Sequence, residues 1–312
     1  MAYIYLFGPV PSRRLGISLG VDLIPFKTCS FNCIYCECGK TTNFLTERKE
    51  FYPVENVFQE ISDYLSNNEM PDFLTFSGSG EPTLYSKLGY LISMIKNSFP
   101  QIKIAIITNS SLFYKEDVRK DCCMADVILP SLDSARAESF IKLDRPFEKD
   151  KLNLIIYGLI EFRKIYDKEI WLEVFFANGI NDTEEDIDAL HEAIVKIKPD
   201  LVQLNTLDRP PAESYVKPVT KIFLENIAKK WKDLLVEIIS RYKDRKEIGN
   251  YSLEFENQLI GALKRRPLTR SDLTLSFNKP MVEIAKYLDI LENEKKIKNV
   301  ILNQKIFIQY VQ

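Results

Sequence analysis

From about residue 17 to residue 239 the chain alternates short β-rich runs with amphipathic stretches, and that alternation limits the fold more than any other feature. β-rich runs lie at 17–23, 73–76, 103–108, 126–132, 170–176 and 201–204, while 234–239 reads equally as a strand or a helix end. Apolar residues at helical spacing fill the gaps at 54–65, 86–96, 115–119, 152–165 and 183–197. Thr183 followed by Asp186 predicts a cap on the last of these. Strands alternating with helices are joined by crossovers and run parallel, which leaves an α/β barrel or an open doubly wound sheet. About six strand–helix units favour a partial (β/α)6-type barrel.

Near Tyr251 the pattern changes. Helical stretches at 253–263, 270–276 and 280–294 precede two β-rich runs, 297–302 and 306–310, around Asn303-Gln304-Lys305. Three helices and a hairpin resemble a winged-helix module. A chain of 312 residues exceeds the usual size of one domain, so the expected division is a barrel over 1–250 and a winged-helix-like domain over 251–312. From Tyr251 onward ten Lys/Arg face seven Asp/Glu, or +3, which leaves about −5 for the rest of the −2 total. The asymmetry is mild, so RNA or a protein are both candidate partners of the tail.

The chemistry concentrates in one loop. Cys29, Cys33 and Cys36 follow a C-x3-C-x2-C spacing, with Tyr35 before the last thiol. Thiolates select zinc, copper(I) or iron–sulfur clusters. A [4Fe–4S] cubane needs a ligand on each iron, so three thiolates leave one iron open to a small molecule. Cys38 would complete a four-thiol zinc set, but closed zinc sites usually pair two knuckles from separate parts of the chain. The zinc alternative implies a nucleic-acid-binding or regulatory protein without turnover. Cys122 and Cys123, at a predicted helix end, are expected to pack.

Composition narrows the classes further. One histidine, His191, leaves little room for histidine-based nucleophiles or histidine-rich metal centres. No apolar run reaches membrane-spanning length, and the N-terminus lacks the basic start of a signal peptide. A cytoplasmic protein with reduced thiols and no membrane partner is expected.

In α/β barrels functional groups collect where strands end. Ser77-Gly78-Ser79-Gly80-Glu81-Pro82-Thr83 follows the second run, with glycines for close backbone approach and Glu81 as a carboxylate for an ammonium group. Asn109 follows the third run and Ser131 ends the fourth, each also suited to capping a helix. Asn178-Gly179-Ile180 follows the fifth, and Gln203-Leu204-Asn205-Thr206 ends the sixth. Arg13, Arg14 and Lys27 are anion or substrate contacts in one reading and solvated surface in the other.

Cys29, Cys33, Tyr35 and Cys36 match the C-x3-C-x-aromatic-C hallmark of the radical S-adenosylmethionine enzymes, which the chain resembles. Ser79-Gly80-Glu81-Pro82 is similar to their Gly-Gly-Glu-Pro motif, with serine for the first glycine. The resemblance implies that Cys29, Cys33 and Cys36 hold a [4Fe–4S] cluster. It further implies that Tyr35, Gly80, Glu81, Asn109, Ser131, Gly179 and Ile180 contact S-adenosylmethionine. The implied reaction is reductive cleavage of the sulfonium to methionine and a 5′-deoxyadenosyl radical that abstracts hydrogen from a substrate, with RNA or a tRNA nucleoside as candidates. An electron donor such as flavodoxin or ferredoxin is implied as well. Phe7-Gly8-Pro9-Val10-Pro11-Ser12-Arg13-Arg14-Leu15-Gly16 and Val202-Gln203-Leu204-Asn205-Thr206 look like the wybutosine-biosynthesis-like iron–sulfur oxidoreductases within that superfamily.

Overall fold

Alternating burial along the strands builds the sheet. The computed structural model describes residues 3–12, 14–239, 252–277, 279, 281–302 and 305–311. Leu6–Ser12 forms β1 and Gly16–Val21 forms β2, followed by the two-residue pieces Thr28–Cys29 (β3) and Asn43–Phe44 (β4). Next come Val54–Asn67 (α1), Phe73–Phe76 (β5), Leu88–Ser98 (α2), Lys103–Thr108 (β6), Glu116–Cys122 (α3), Val127–Pro130 (β7), Ala137–Leu143 (α4) and Leu152–Ile165 (α5). Glu169–Phe176 (β8), Glu184–Ile197 (α6), Leu201–Thr206 (β9), Lys221–Lys230 (α7) and Val236–Ile238 (β10) complete this part.

The main sheet has eight strands in the order β1-β2-β5-β6-β7-β8-β9-β10. Every pairing from β2 to β10 is parallel, as crossover helices require. The strand order follows the chain, which is the topology of a partial barrel.

The two faces of each strand do different work. Leu19, Val21, Leu74, Phe76, Ile104, Ile106, Leu172, Val174, Val202 and Leu204 belong to the main core together with Ile61, Ile92, Leu159 and Ile194 of the helices. Each such side chain contributes about 1.5–3 kcal/mol by leaving water. The alternate residues face the other way. Leu15, Ala105, Val127 and Leu129 form a small apolar cluster there, and the Ser18 and Thr75 hydroxyls are hydrogen-bonded at 2.6 Å. Polar side chains lie on this inner face because parallel strands alternate sides at every residue.

Thr183 caps α6 as its spacing predicts, its hydroxyl accepting from the Asp186 N–H at 3.2 Å. The run 234–239 resolves as strand β10, parallel to β9. Some elements escape the sequence pattern. β1 contains Pro9 and Pro11, which suppress a strand reading but are tolerated at the end of a sheet. α4 is only seven residues long, too short for helical spacing to register.

By proximity the chain divides into two compact units, Met1–Pro9 with Arg14–Ile239 and Val10–Arg13 with Ser240–Gln312. The second contains Leu253–Arg265 (α8), Arg270–Phe277 (α9) and Met281–Asn293 (α10), then the antiparallel strands Ile297–Leu302 (β11) and Lys305–Tyr310 (β12). Phe255, Leu259, Leu263, Leu273, Ile284, Leu288 and Ile308 form its own core. Ser252 caps α8 through the Phe255 N–H. The boundary expected between residues 250 and 251 lies outside the described residues, as do Asn303, Gln304 and Arg13.

Candidate active site

The cysteine loop is pinned to its surroundings by backbone hydrogen bonds. The Asn32 and Ile34 N–H groups donate to the carbonyls of Asp144 and Leu143 at 3.0 and 2.9 Å, and the Phe147 N–H donates to the Ser30 carbonyl at 3.0 Å. On the other side the Lys27 N–H donates to the Ser79 carbonyl and the Glu81 N–H to the Thr28 carbonyl, at 3.2 and 3.3 Å. The turn after β5 therefore runs alongside the loop.

Gly80 makes that approach feasible. A Cβ there would stand 2.1 Å from the Thr28 carbonyl oxygen, which is backbone and has no room to yield. Gly80→Ala is expected to separate the two strips, with a cost of about 1–3 kcal/mol. A melting curve checks this, and an unchanged midpoint would show that the strips are not coupled.

Donors surround the sulfurs. Cys29 Sγ accepts from the Asn109 amide at 3.4 Å and from the Phe31 N–H at 3.5 Å, and Lys27 Nζ lies 3.2 Å from Cys36 Sγ. Cys33 Sγ donates to Asp144 Oδ1 at 3.6 Å. Burial pushes the Cys29 thiol up to about 12, and burial followed by the charge of Asp144 raises Cys33 well above its ordinary value. The hydrogen bond from Cys38 and the charge of Lys27 outweigh desolvation at Cys36, lowering it to about 5. Without metal, two of the thiols are held protonated; a bound iron–sulfur core would supply the positive charge that ionises them.

Lys27 departs from the solvated reading. Its side chain is buried against Cys36, and its φ of 57° is left-handed. Cys38 is exposed, hydrogen-bonded to Cys36 and 3.8 Å from the Gly78 carbonyl. Cys122 packs in the main core as expected, and Cys123 is half-buried at the edge of that core. Among the described residues no three Cys, His, Asp or Glu side chains gather closely enough for a single ion. A cubane takes its thiolates on separate irons, so this donor set of three spaced thiols with N–H groups on two of them fits a cluster.

The strand ends meet the loop. Glu81 is buried, and its carboxylate accepts from Thr83 N–H and hydroxyl at 3.0 and 2.6 Å, from the Thr108 hydroxyl at 2.7 Å and from the Asn109 N–H at 2.8 Å. Burial raises its pKa, although those donors pull in the opposite direction. It thus ties the end of β5 to the end of β6. The Asn109 side chain reaches the Cys29 sulfur and Ser30. Ser131 is bridged to Glu173 of β8, and its carbonyl accepts from the Ser110 hydroxyl at 2.7 Å.

Tyr35 stacks on Phe175 with ring centroids 3.9 Å apart, and its hydroxyl donates to Asp133. Ile180 packs in the apolar cluster that includes Tyr35, Phe175 and Ile34. Gly179 has φ 74° and open space where a Cβ would stand, so its backbone rather than close packing calls for glycine. Tyr35, Asn109, Ser131, Asp133, Ser134 and Asp144 border a cavity of about 10 Å³, roughly one water. Ser134 Oγ, buried there, has no partner among the described residues.

Asp133 and Asp144 were not separable from other loop carboxylates by sequence. Burial lifts Asp133 to about 6, and burial with the neighbouring Asp133 charge pushes Asp144 well above the carboxylate range. Asp144 meets Cys33 across 111 positions of chain, a proximity that only the fold creates.

A parallel partial barrel with a three-thiol loop at its strand ends defines an iron–sulfur enzyme class. The chain belongs to the Radical SAM superfamily, whose family model matches residues 23–194. Members are enzymes that bind a [4Fe–4S] cluster and S-adenosylmethionine and require an electron donor, and those two groups are the cofactors of this chain. The zinc-scaffold alternative gives way to this assignment. UPF0026 protein MJ1312 of Methanocaldococcus jannaschii is 35% identical over 311 residues, covering 96% of this chain and 94% of that one. A Brachyspira hyodysenteriae protein named GTPase Obg is 39% identical over 299 residues, 96% of this chain. The chain spans only 44% of that relative, whose name describes a longer molecule. SuiB of Streptococcus suis, solved with S-adenosylmethionine bound, shares the fold at TM-score 0.53 and 16% identity, over 70% of this chain and 50% of SuiB. Among the described residues no helix is long and apolar enough to cross a membrane.

Proposed function

We propose that this chain cleaves S-adenosylmethionine reductively and passes the radical to a substrate held inside the barrel, with Cys29, Cys33 and Cys36 as the cluster ligands. The observation that carries the reading is the set of donors aimed at Cys29 and Cys36 beside the ends of β5, β6 and β7. When bound, the cluster and its cosubstrate supply an electron and a 5′-deoxyadenosyl radical. The chain's own residues orient and shield. Asn109 and Lys27 donate to sulfur, which stabilises negative charge on the thiolates and raises the reduction potential. Tyr35, Gly80, Ser131, Gly179 and Ile180 border the cosubstrate. Glu81 acts through Thr83, Thr108 and Asn109, holding the two strand ends in place. A small reduced protein such as flavodoxin or ferredoxin is the electron donor, in the reducing cytoplasm.

Anaerobic reconstitution with iron and sulfide tests the reading. Brown protein that releases 5′-deoxyadenosine after reduction supports it; colourless protein with stoichiometric zinc overturns it.

A basic cleft in the second unit favours RNA as a binding partner of that unit. Lys264, Arg265, Arg266, Lys298 and Tyr310 line a cavity of about 750 Å³, with Lys264 Nζ 4.8 Å from the Tyr310 ring centroid. Cations beside an aromatic ring suit a phosphate backbone with an unstacked base. Replacing Arg265 and Arg266 with alanine is expected to weaken single-stranded RNA binding and reduce its log–log salt slope by about 1.4. An unchanged slope would remove RNA from the reading.

A further inference from the structure

Strand register aligns four polar side chains in one row. Ser131 pairs with Glu173, Glu173 with Gln203, and Gln203 with Glu237, from the residue that follows β7 across β8 and β9 to β10. At about 4.8 Å per strand, Gln203 stands about 10 Å from Ser131 and Glu237 about 14 Å. The neighbours Leu172, Val174, Val202, Leu204, Val236 and Ile238 pack in or against the main core, so the row occupies the opposite, inner face.

The row is short of donors. Glu173 is satisfied by its ion pair with Arg14 and by the Asn205 amide at 3.5 Å. Gln203 is 1% exposed; its Nε2 reaches Glu237 Oε2 at 3.5 Å, and its Oε1 has no hydrogen-bond partner among the described residues. Glu237 is exposed and has no ion-pair partner among the described residues. A buried carbonyl without a donor is unfavourable, and a carboxylate beside it seeks positive charge. Among the described residues of the row, two carboxylates against one arginine disfavour an anionic ligand there.

We infer that Gln203 and Glu237 form the substrate-recognition surface of the barrel and take a protonated amine or amidine. Gln203 Oε1 accepts one N–H of that group, and the Glu237 carboxylate accepts another while balancing its charge. The inference rests on the proposed function, because Ser131, at the head of the row, borders the cosubstrate in that reading.

The test uses full-length, cluster-loaded protein with S-adenosylmethionine present, titrated with benzamidine and, separately, with the neutral benzamide and the anionic benzoate. Calorimetry or ligand-detected NMR should give saturable binding for benzamidine only. Glu237→Gln, at an exposed position, should weaken that binding at least about tenfold, and Gln203→Met similarly. Equal binding in the Glu237→Gln protein, benzoate binding as tight as benzamidine, or no binding by any probe would overturn the inference. The two readings fail separately. If the same preparation binds benzamidine through Glu237 yet forms no 5′-deoxyadenosine, the proposed radical function falls and the recognition row stands.

Discussion

Cys33→Ala is expected to leave anaerobic reconstitution nearly colourless, with at least about tenfold less 5′-deoxyadenosine formed than by the parent chain. Cys33 lies between the other two proposed ligands on a loop whose backbone is fixed on both sides, so no neighbouring thiol can slide into its place. Cys38→Ala is expected to keep both colour and cleavage. Its sulfur is exposed, and its contacts are a hydrogen bond with Cys36 and an approach to the Gly78 carbonyl at 3.8 Å. Iron and sulfide assays with the electronic spectrum of each variant check the pair. Loss of the cluster in Cys38→Ala alone would make Cys38 a ligand and overturn the assignment of three.

Glu81→Ala is expected to destabilise the barrel by about 3–5 kcal/mol, because several buried donors lose their acceptor together. For a barrel of this size that corresponds to a fall in melting temperature of about 6–20 °C. Glu81→Gln is expected to recover part of the loss, since one amide oxygen can still accept while the amide nitrogen meets donors. Thermal unfolding of the metal-free chain reads this without reference to turnover. A Glu81→Ala protein that melts like the parent but fails to bind S-adenosylmethionine would instead make the carboxylate a direct contact.

The fold was legible where periodicity is strong. The span Lys103–Thr108 and the helix Leu152–Ile165 emerge with the limits that their apolar patterns predict, and the hairpin partner Ile297–Leu302 likewise. The strand β1 was obscured by its prolines, and α7 by an apolar pattern too sparse to separate it from the loop before β10. The cysteine loop stood out because its three thiols lie close together in sequence. Asp144, the burial of Lys27, and the alignment of Glu173 with Gln203 and Glu237 did not, because each depends on register or on loops meeting over long separations. Glu81 was read as a carboxylate turned toward a ligand; its partners turn out to be the chain's own hydroxyls and amides.

The backbone bonds that fasten residues 30–34 to residues 143–147 involve no sulfur. A zinc finger collapses when its ion is withdrawn, because the ion is its core. This loop instead rests on a sheet with an extensive apolar core of its own. The chain is therefore expected to persist as a folded, empty receptacle during iron shortage and to be refilled when the supply returns, without being made again. Its activity in a cell would then follow iron and sulfide delivery more closely than its own synthesis.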